Sequence, residues 1–158
     1  DWDPARSVPR GALRPLARLP GLRWFSLQYP QRPTPFSMFD LACRDLREFA
    51  VRMRHLDLIV SVDTLTAHLA GALGLPIWLL LPESCDWRWM QGRSDSPWYP
   101  TMRLFRQRRE GEWDGVIAEL AAALRGLSPP HAGNGARIGP TPASRSAMAS
   151  ARAPGPGA

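Results

Sequence analysis

Four polar side chains stand close together between two apolar segments near the middle of the chain: Asp63, Thr64, Thr66 and His68. Oxygens of Asp63 or Thr64 can cap a following helix, because the first helical turn leaves its backbone N–H groups without partners. The same N–H groups carry partial positive charge and can instead bind a phosphate or pyrophosphate. The cluster therefore predicts either a plain helix cap or an anion site.

His68 has two interpretations of its own. It follows Thr64 by four residues, so both side chains share one helical face close to the opening turn. A single His at such a place is commonly a hydrogen-bonded residue of the core or its rim. A ligand-binding role for His68 stands beside that structural interpretation.

The segments around this cluster predict a strand–helix–strand unit. Residues 58–62 are apolar except for Ser61 and rich in β-branched side chains, which suits a parallel strand covered on both faces. A short helix is predicted at 65–73, ended by Gly74 and Pro76, before a second apolar strand at 77–81. Ligands of parallel sheets bind where strands feed into helix N-termini, which is where the polar cluster falls.

The remaining segments complete an α/β pattern. Helical spacing is present at 11–19, where Pro15 limits the helix, and at 40–54. Further elements are predicted as a strand at 22–27, a Pro-rich loop at 29–35 that could line the ligand pocket, a strand at 102–105 and a closing helix at 113–124.

A long segment at 83–100 contains four aromatic residues, namely Trp87, Trp89, Trp98 and Tyr99. Loops of this length in a compact domain are usually functional. The aromatic rings can stack on a sugar or base, or they can pin the loop to the domain. Arg88 and Arg93 can likewise reach phosphate oxygens or remain solvated on the surface.

Composition limits the possible classes of protein. The 158 residues are 44% apolar with seven Trp, enough for one domain at 1–127. Residues 128–158 are Pro, Gly, Ala and Ser with isolated Arg, and we expect them to be disordered. The formal charge of +6 raises nucleic-acid binding as a rival, but no aromatic and basic recognition motif accompanies it.

Metal, membrane and export signals are not apparent in the sequence. Cys43 and Cys85 have neither CxxC spacing nor a neighbouring His cluster, so no metal site is predicted. No apolar run approaches the length of a membrane span, and the first residues do not resemble a signal peptide. We therefore expect a soluble, cytoplasmic protein.

Two strings of residues resemble a known family. SVDTLTAHLAGALGLPIWLLLP resembles the donor-site motif of glycosyltransferase family 9, the heptosyltransferase-like enzymes, and is closest to the form in bacterial tetratricopeptide-repeat proteins. CDWRWMQGRSDSPWYPTMRLFRQ extends the resemblance, which covers roughly residues 5–125. The sequence departs from the family at Leu65, where Gly is usual, and at Glu48 and Phe49, where Asp-Thr is usual.

The resemblance implies a Rossmann-like parallel sheet with flanking helices, the C-terminal half of a GT-B glycosyltransferase that lacks its first strand. It implies that Asp63, Thr64, Leu65, Thr66 and His68 bind a nucleotide-diphosphate sugar without a metal or other cofactor, with Trp87 and Arg88 as further loop contacts. The general base would come from a missing N-terminal domain, possibly preceded by tetratricopeptide repeats, so this part would be inactive alone. The alternative is a degenerate module that binds a nucleotide sugar or a protein without catalysis.

Overall fold

The computed structural model of the protein describes residues 6–127, and the predicted disordered tail at 128–158 lies outside the described residues. The described part alternates short parallel strands with helices, as an α/β protein does. The strands are β1 (Phe25–Ser26), β2 (Phe39–Asp40), β3 (Ile59–Val62), β4 (Ile77–Leu81) and β5 (Met102–Arg106). The helices are α1 (Leu46–Met53), α2 (Leu65–Ala72) and α3 (Trp113–Arg125), with 3-10 helices at Arg10–Arg18 and Trp87–Trp89.

The strands form two parallel sheets. In the larger sheet β4 lies in the middle, with β3 on one side and β5 on the other, in the order β3-β4-β5. The register aligns Ile59 with Ile77 and Ile77 with Met102, so the carboxyl ends of the three strands meet at one edge. The predicted strand–helix–strand unit is therefore confirmed, and its polar cluster follows the carboxyl end of β3.

The smaller sheet pairs β1 with β2 over two residues each. The strand predicted at 22–27 is wrong in length, because only Phe25–Ser26 finds a ladder partner. Two flanking bonds extend the pairing, from Phe39 N to Trp24 O at 2.9 Å and from Leu41 N to Ser26 O at 2.8 Å.

Helices cover both faces of the larger sheet. One core cluster joins α1 and α2 to one face of the strands through Phe49, Met53, Ala67, Ala70, Ile59, Leu79 and Leu104. The other joins α3 and the first 3-10 helix to the opposite face through Leu16, Trp113, Leu120, Leu80 and Phe105. Neighbouring residues such as Leu79 and Leu80 belong to opposite clusters, which is the alternation expected of a strand covered on both sides.

The helix boundaries differ from the prediction where other bonds compete. The helix predicted at 40–54 begins only at Leu46, because Asp40 belongs to β2 and the Asp45 carboxylate caps the helix through Glu48 N at 2.8 Å. The helix predicted at 11–19 is a 3-10 helix at Arg10–Arg18 that contains Pro15. Gly74 follows α2 with φ +65°, as predicted for a helix-ending glycine.

Among residues 6–127, no helix has the length and apolar character needed to span a bilayer.

Candidate functional site

The amino end of α2 lies directly after β3, and its cap differs from the prediction. Thr64 occupies the N-cap position with an extended backbone, yet its side chain accepts no hydrogen bond from the helix. Its Oγ1 lies 3.3 Å from Val62 O and 3.2 Å from Ser61 Oγ instead. The prediction that Asp63 or Thr64 caps the helix with its side chain is therefore wrong. The Thr64 hydroxyl contacts Val62 and Ser61, which precede the helix, and the Asp63 carboxylate contacts Trp89 and His68.

The Asp63 side chain points inward and is 7% exposed. Its Oδ2 accepts a 2.9 Å hydrogen bond from Trp89 Nε1, and its Oδ1 lies 3.2 Å from His68 Nε2. A buried carboxylate is costly unless its oxygens are bonded, and these two donors satisfy one oxygen each. Asp63 therefore joins the start of α2 to the long loop that follows β4.

The contact with Asp63 also fixes one hydrogen-bonding role of His68. A carboxylate oxygen accepts, so His68 Nε2 donates to it. Nδ1 lies within hydrogen-bond distance of the Tyr99 hydroxyl, at 3.0 Å. The imidazole also stacks on the Trp89 ring, with centroids 5.4 Å apart. The structure thus places Asp63, His68, Trp89 and Tyr99 in one connected network.

A close approach of Tyr99 to α2 completes this network. The Tyr99 ring covers Gly71, where an added Cβ would lie 2.6 Å from Tyr99 Cδ1. Only glycine leaves room for the ring at this distance. The absence of a side chain at Gly71 therefore allows the tyrosine hydroxyl to reach His68.

The remaining donor-site candidates lie at the outer side of the same helix end. Thr64 is exposed, Thr66 is half-buried, and the Leu65 side chain is 64% exposed. Arg6 Nη1 makes a long 3.4 Å contact with Asp63 O beside them. Hydroxyls, the opening backbone amides and a guanidinium thus lie around this end, while the Asp63 carboxylate is turned away from it.

The two loop candidates, Trp87 and Arg88, lie on the surface after β4. Arg88 pairs with Asp86 through Nε at 3.0 Å and Nη2 at 3.1 Å, and Trp87 is 74% exposed. Trp89 is fully buried and Trp98 is 53% exposed. The pinning interpretation therefore describes Trp89, whereas Trp87 and Trp98 present most of their surface to solvent.

The Pro-rich loop forms a separate open cleft of about 400 Å³ at the carboxyl ends of β1 and β2. The cleft is lined by Gln31, Arg32, Pro33 and Thr34 of this loop together with Ser26, Met38 and Asp40.

Across residues 6–127 no group of three or more His, Cys, Asp or Glu side chains is arranged to hold a metal ion.

Sequence reasoning placed Asp63 and His68 in the site but missed their partners. The missed contacts join residues 26 and 31 positions apart. The aromatic content of the 83–100 segment was the available signal, but it did not distinguish Trp89, which points inward, from Trp87, which points outward.

The fold and site define an α/β protein with a polar helix start at the carboxyl edge of a parallel sheet. No family model matches the chain, and no solved structure matches it. The chain is similar to Protein FlbA of Caulobacter vibrioides, with 30% identity over 124 residues. The match covers 70% of this chain but 20% of FlbA, so the chain spans about a fifth of the length of this relative.

Proposed function

We propose that this chain is the donor-binding part of a glycosyltransferase that moves a sugar from a nucleotide-diphosphate sugar to an acceptor hydroxyl. The observation that carries the proposal is the open amino end of α2, where Thr64 leaves the helix uncapped and the Asp63 carboxylate faces the opposite way. Helix amides of this kind bind phosphate groups. The position after a parallel strand also fits, because ligands of parallel sheets bind at carboxyl ends.

The proposed chemistry is electrostatic. Departure of the nucleoside diphosphate builds negative charge on the pyrophosphate, and fixed donors stabilise that charge at low cost in reorganisation. The donors in this proposal are the amides of the first turn of α2 and the hydroxyl of Thr66, with Arg6 beside them. The Thr64 hydroxyl joins them when it exchanges its bond to Val62 O for the phosphate. A general base for the acceptor hydroxyl is expected from an N-terminal domain, so this part would not transfer sugar alone.

The proposed finer fold is the C-terminal half of a GT-B enzyme in which one strand is lacking. The sheets β1-β2 and β3-β4-β5 share both packing layers: Trp24 lies in the cluster of Val60 and Val62, and Leu27 packs on that of Ile59. A parallel strand between β1 and β3 would join them into one sheet of the Rossmann order. The proposed partners are this strand, the second domain and possibly tetratricopeptide repeats, with the cytoplasmic location expected from the sequence.

Two observations favour a second candidate, a degenerate module that binds a nucleotide sugar or a protein without catalysis. The exposed Leu65 side chain lies at the proposed anion site, at a position where glycosyltransferase family 9 usually has Gly. His68 and Asp63 also contact each other, and they bond to Tyr99 and Trp89, respectively. These contacts leave both side chains less available to a ligand.

Calorimetric titration of the full chain with ADP, UDP and GDP sugars tests the proposal. We expect saturable binding of one nucleotide class, weakened in a Thr64→Ala/Thr66→Ala variant and unchanged in Val51→Ala, an exposed residue of α1. Leu65→Gly should tighten binding if the leucine crowds the phosphate. Slow hydrolysis of the bound donor supports the enzyme. Binding without hydrolysis is expected of both candidates, because the general base would lie in another domain. No binding by either the parent chain or Leu65→Gly would reject both.

A further inference from the structure

The loop at 83–100 is held to the domain at three points. Trp89 donates to Asp63 at the start of α2, and Tyr99 bonds to His68 on the same helix. Arg106 of β5 donates to Trp89 O at 3.0 Å and to Met90 O at 2.6 Å. A loop with these attachments has a defined shape, so the side chains that it exposes also have defined positions.

Trp87 and Trp98 are the large aromatic residues that this loop presents to solvent. Their rings meet edge to face, with centroids 6.4 Å apart and an interplanar angle of 88°. Trp98 Nε1 donates to Arg88 O at 3.0 Å, which holds its ring in place. Exposing two adjacent Trp rings is unfavourable in water, and a fixed exposed apolar surface of this kind commonly marks a binding site.

The charged side chains next to Trp87 in the loop are paired with each other. Arg88 pairs with Asp86 through Nε at 3.0 Å, and further along the loop Arg93 pairs with Asp95 through Nη2 at 2.7 Å. Each of these two guanidinium groups therefore already has a carboxylate partner. The combination of aromatic faces with a balanced polar rim favours an uncharged ligand that is rich in hydroxyl groups.

We propose that Trp87 and Trp98 form a saccharide-binding platform for a neutral sugar. One face of a pyranose ring carries C–H groups that pack on the negative face of an indole, while its hydroxyls bond to polar neighbours. Here the stacking surface is Trp87 with Trp98, and Asp86 and Arg88 are the adjacent polar groups. In this proposal Trp87 and Arg88 bind a separate neutral sugar, rather than the nucleotide sugar for which the resemblance implies them as loop contacts, and the platform lies outside α2.

Titration of the full chain, with its indoles labelled with ¹⁵N, tests the platform. The probes are neutral oligosaccharides of glucose, mannose, galactose or N-acetylglucosamine at millimolar concentration. We expect at least one to shift the Nε1–H signals of Trp87 and Trp98 in a saturable way, with that of buried Trp89 unmoved. Trp87→Ala should weaken binding about tenfold or more, the usual effect of removing a stacked ring. Trp87→Phe should weaken it less.

Two controls separate this proposal from the donor site and from loss of folding. Val51→Ala removes exposed apolar surface elsewhere and should bind the saccharide as the parent does. The Thr64→Ala/Thr66→Ala variant should lose nucleotide binding but keep saccharide binding. The proposal is overturned if no probe moves the two indole signals, or if they move only with protein concentration, which would make the surface a protein–protein contact.

Discussion

The indole of Trp89 donates a 2.9 Å hydrogen bond to the carboxylate of Asp63, although the two residues stand 26 positions apart in sequence. Both side chains are buried, so neither group can exchange its partner for water without local opening. This bond joins the residue that precedes the N-cap of α2 to the loop after β4.

Replacing Asp63 should destabilise the protein more than a surface Asp. Asp63→Ala removes the acceptor of Trp89 and leaves its buried N–H unsatisfied, at a cost of about 1–3 kcal/mol in the free energy of unfolding. Asp63→Asn keeps one oxygen and should lose less. Urea denaturation measures the change, with the exposed Asp57→Ala as control. Equal effects for Asp63→Ala and Asp57→Ala would show that the bond contributes nothing.

Two helical glycines should respond to alanine with opposite signs. A Cβ at Gly71 meets the Tyr99 ring, so Gly71→Ala should overpack the site and cost about 1–3 kcal/mol. At Gly115 in α3 the nearest atom to such a Cβ is Glu112 Oε1 at 3.6 Å, an ordinary contact. Gly115→Ala should therefore stabilise the protein by about 0.5–1 kcal/mol through helix propensity.

A second variant checks the cause of the Gly71 effect. Tyr99→Leu removes the ring that the new methyl would strike, so the cost of Gly71→Ala should shrink in that background. Thermal unfolding of the four proteins in this cycle gives the coupling between the two positions. If Gly71→Ala costs the same unfolding free energy in the Tyr99→Leu background, the Tyr99 ring is not the cause of the clash.

The thiol of Cys43 should react slowly with alkylating agents. It donates a 3.0 Å hydrogen bond to Glu48 Oε2, and this bond raises the pKa of Cys43 above its ordinary value. Glu48→Ala should lower that pKa and speed the reaction near neutral pH, because the thiolate is the reactive form. Rates of iodoacetamide labelling in a Cys85→Ser background measure this. A slower reaction after the substitution would contradict the assigned bond.

The same contact predicts how stability depends on pH. Bonds from Cys43 and then Arg52 hold the pKa of Glu48 below its ordinary 4.5. A depressed acid pKa gives stabilisation that is present above the ordinary value and is lost as pH falls through the folded value. The difference in unfolding free energy between the parent and Glu48→Gln should therefore be constant above the ordinary pKa of 4.5. It should shrink as the pH falls from there through the lower pKa of the folded state. A difference that stays constant down to acid pH would contradict the two bonds assigned to Glu48.

Short-range patterns predicted the elements that position the site, and long-range contacts lay beyond their reach. The apolar run before Asp63 and the glycine after α2 fix β3 and the helix end locally, so both were predicted from the sequence. The orientation of Asp63 depends on Trp89, which reaches it only once β4 is in place. The length of β1 also depends on a partner, since Phe25–Ser26 forms a strand only where β2 lies beside it.

The loop at 83–100 is attached at two places near the start of α2. Trp89 and Tyr99 lie at the two ends of the segment 89–99, and they bond to Asp63 and His68, respectively. A peptide bond broken between those two residues would leave each new terminus tethered by its own aromatic side chain. The cleaved protein should keep its fold and elute as one species in size-exclusion chromatography. Its two fragments should separate only under denaturing conditions.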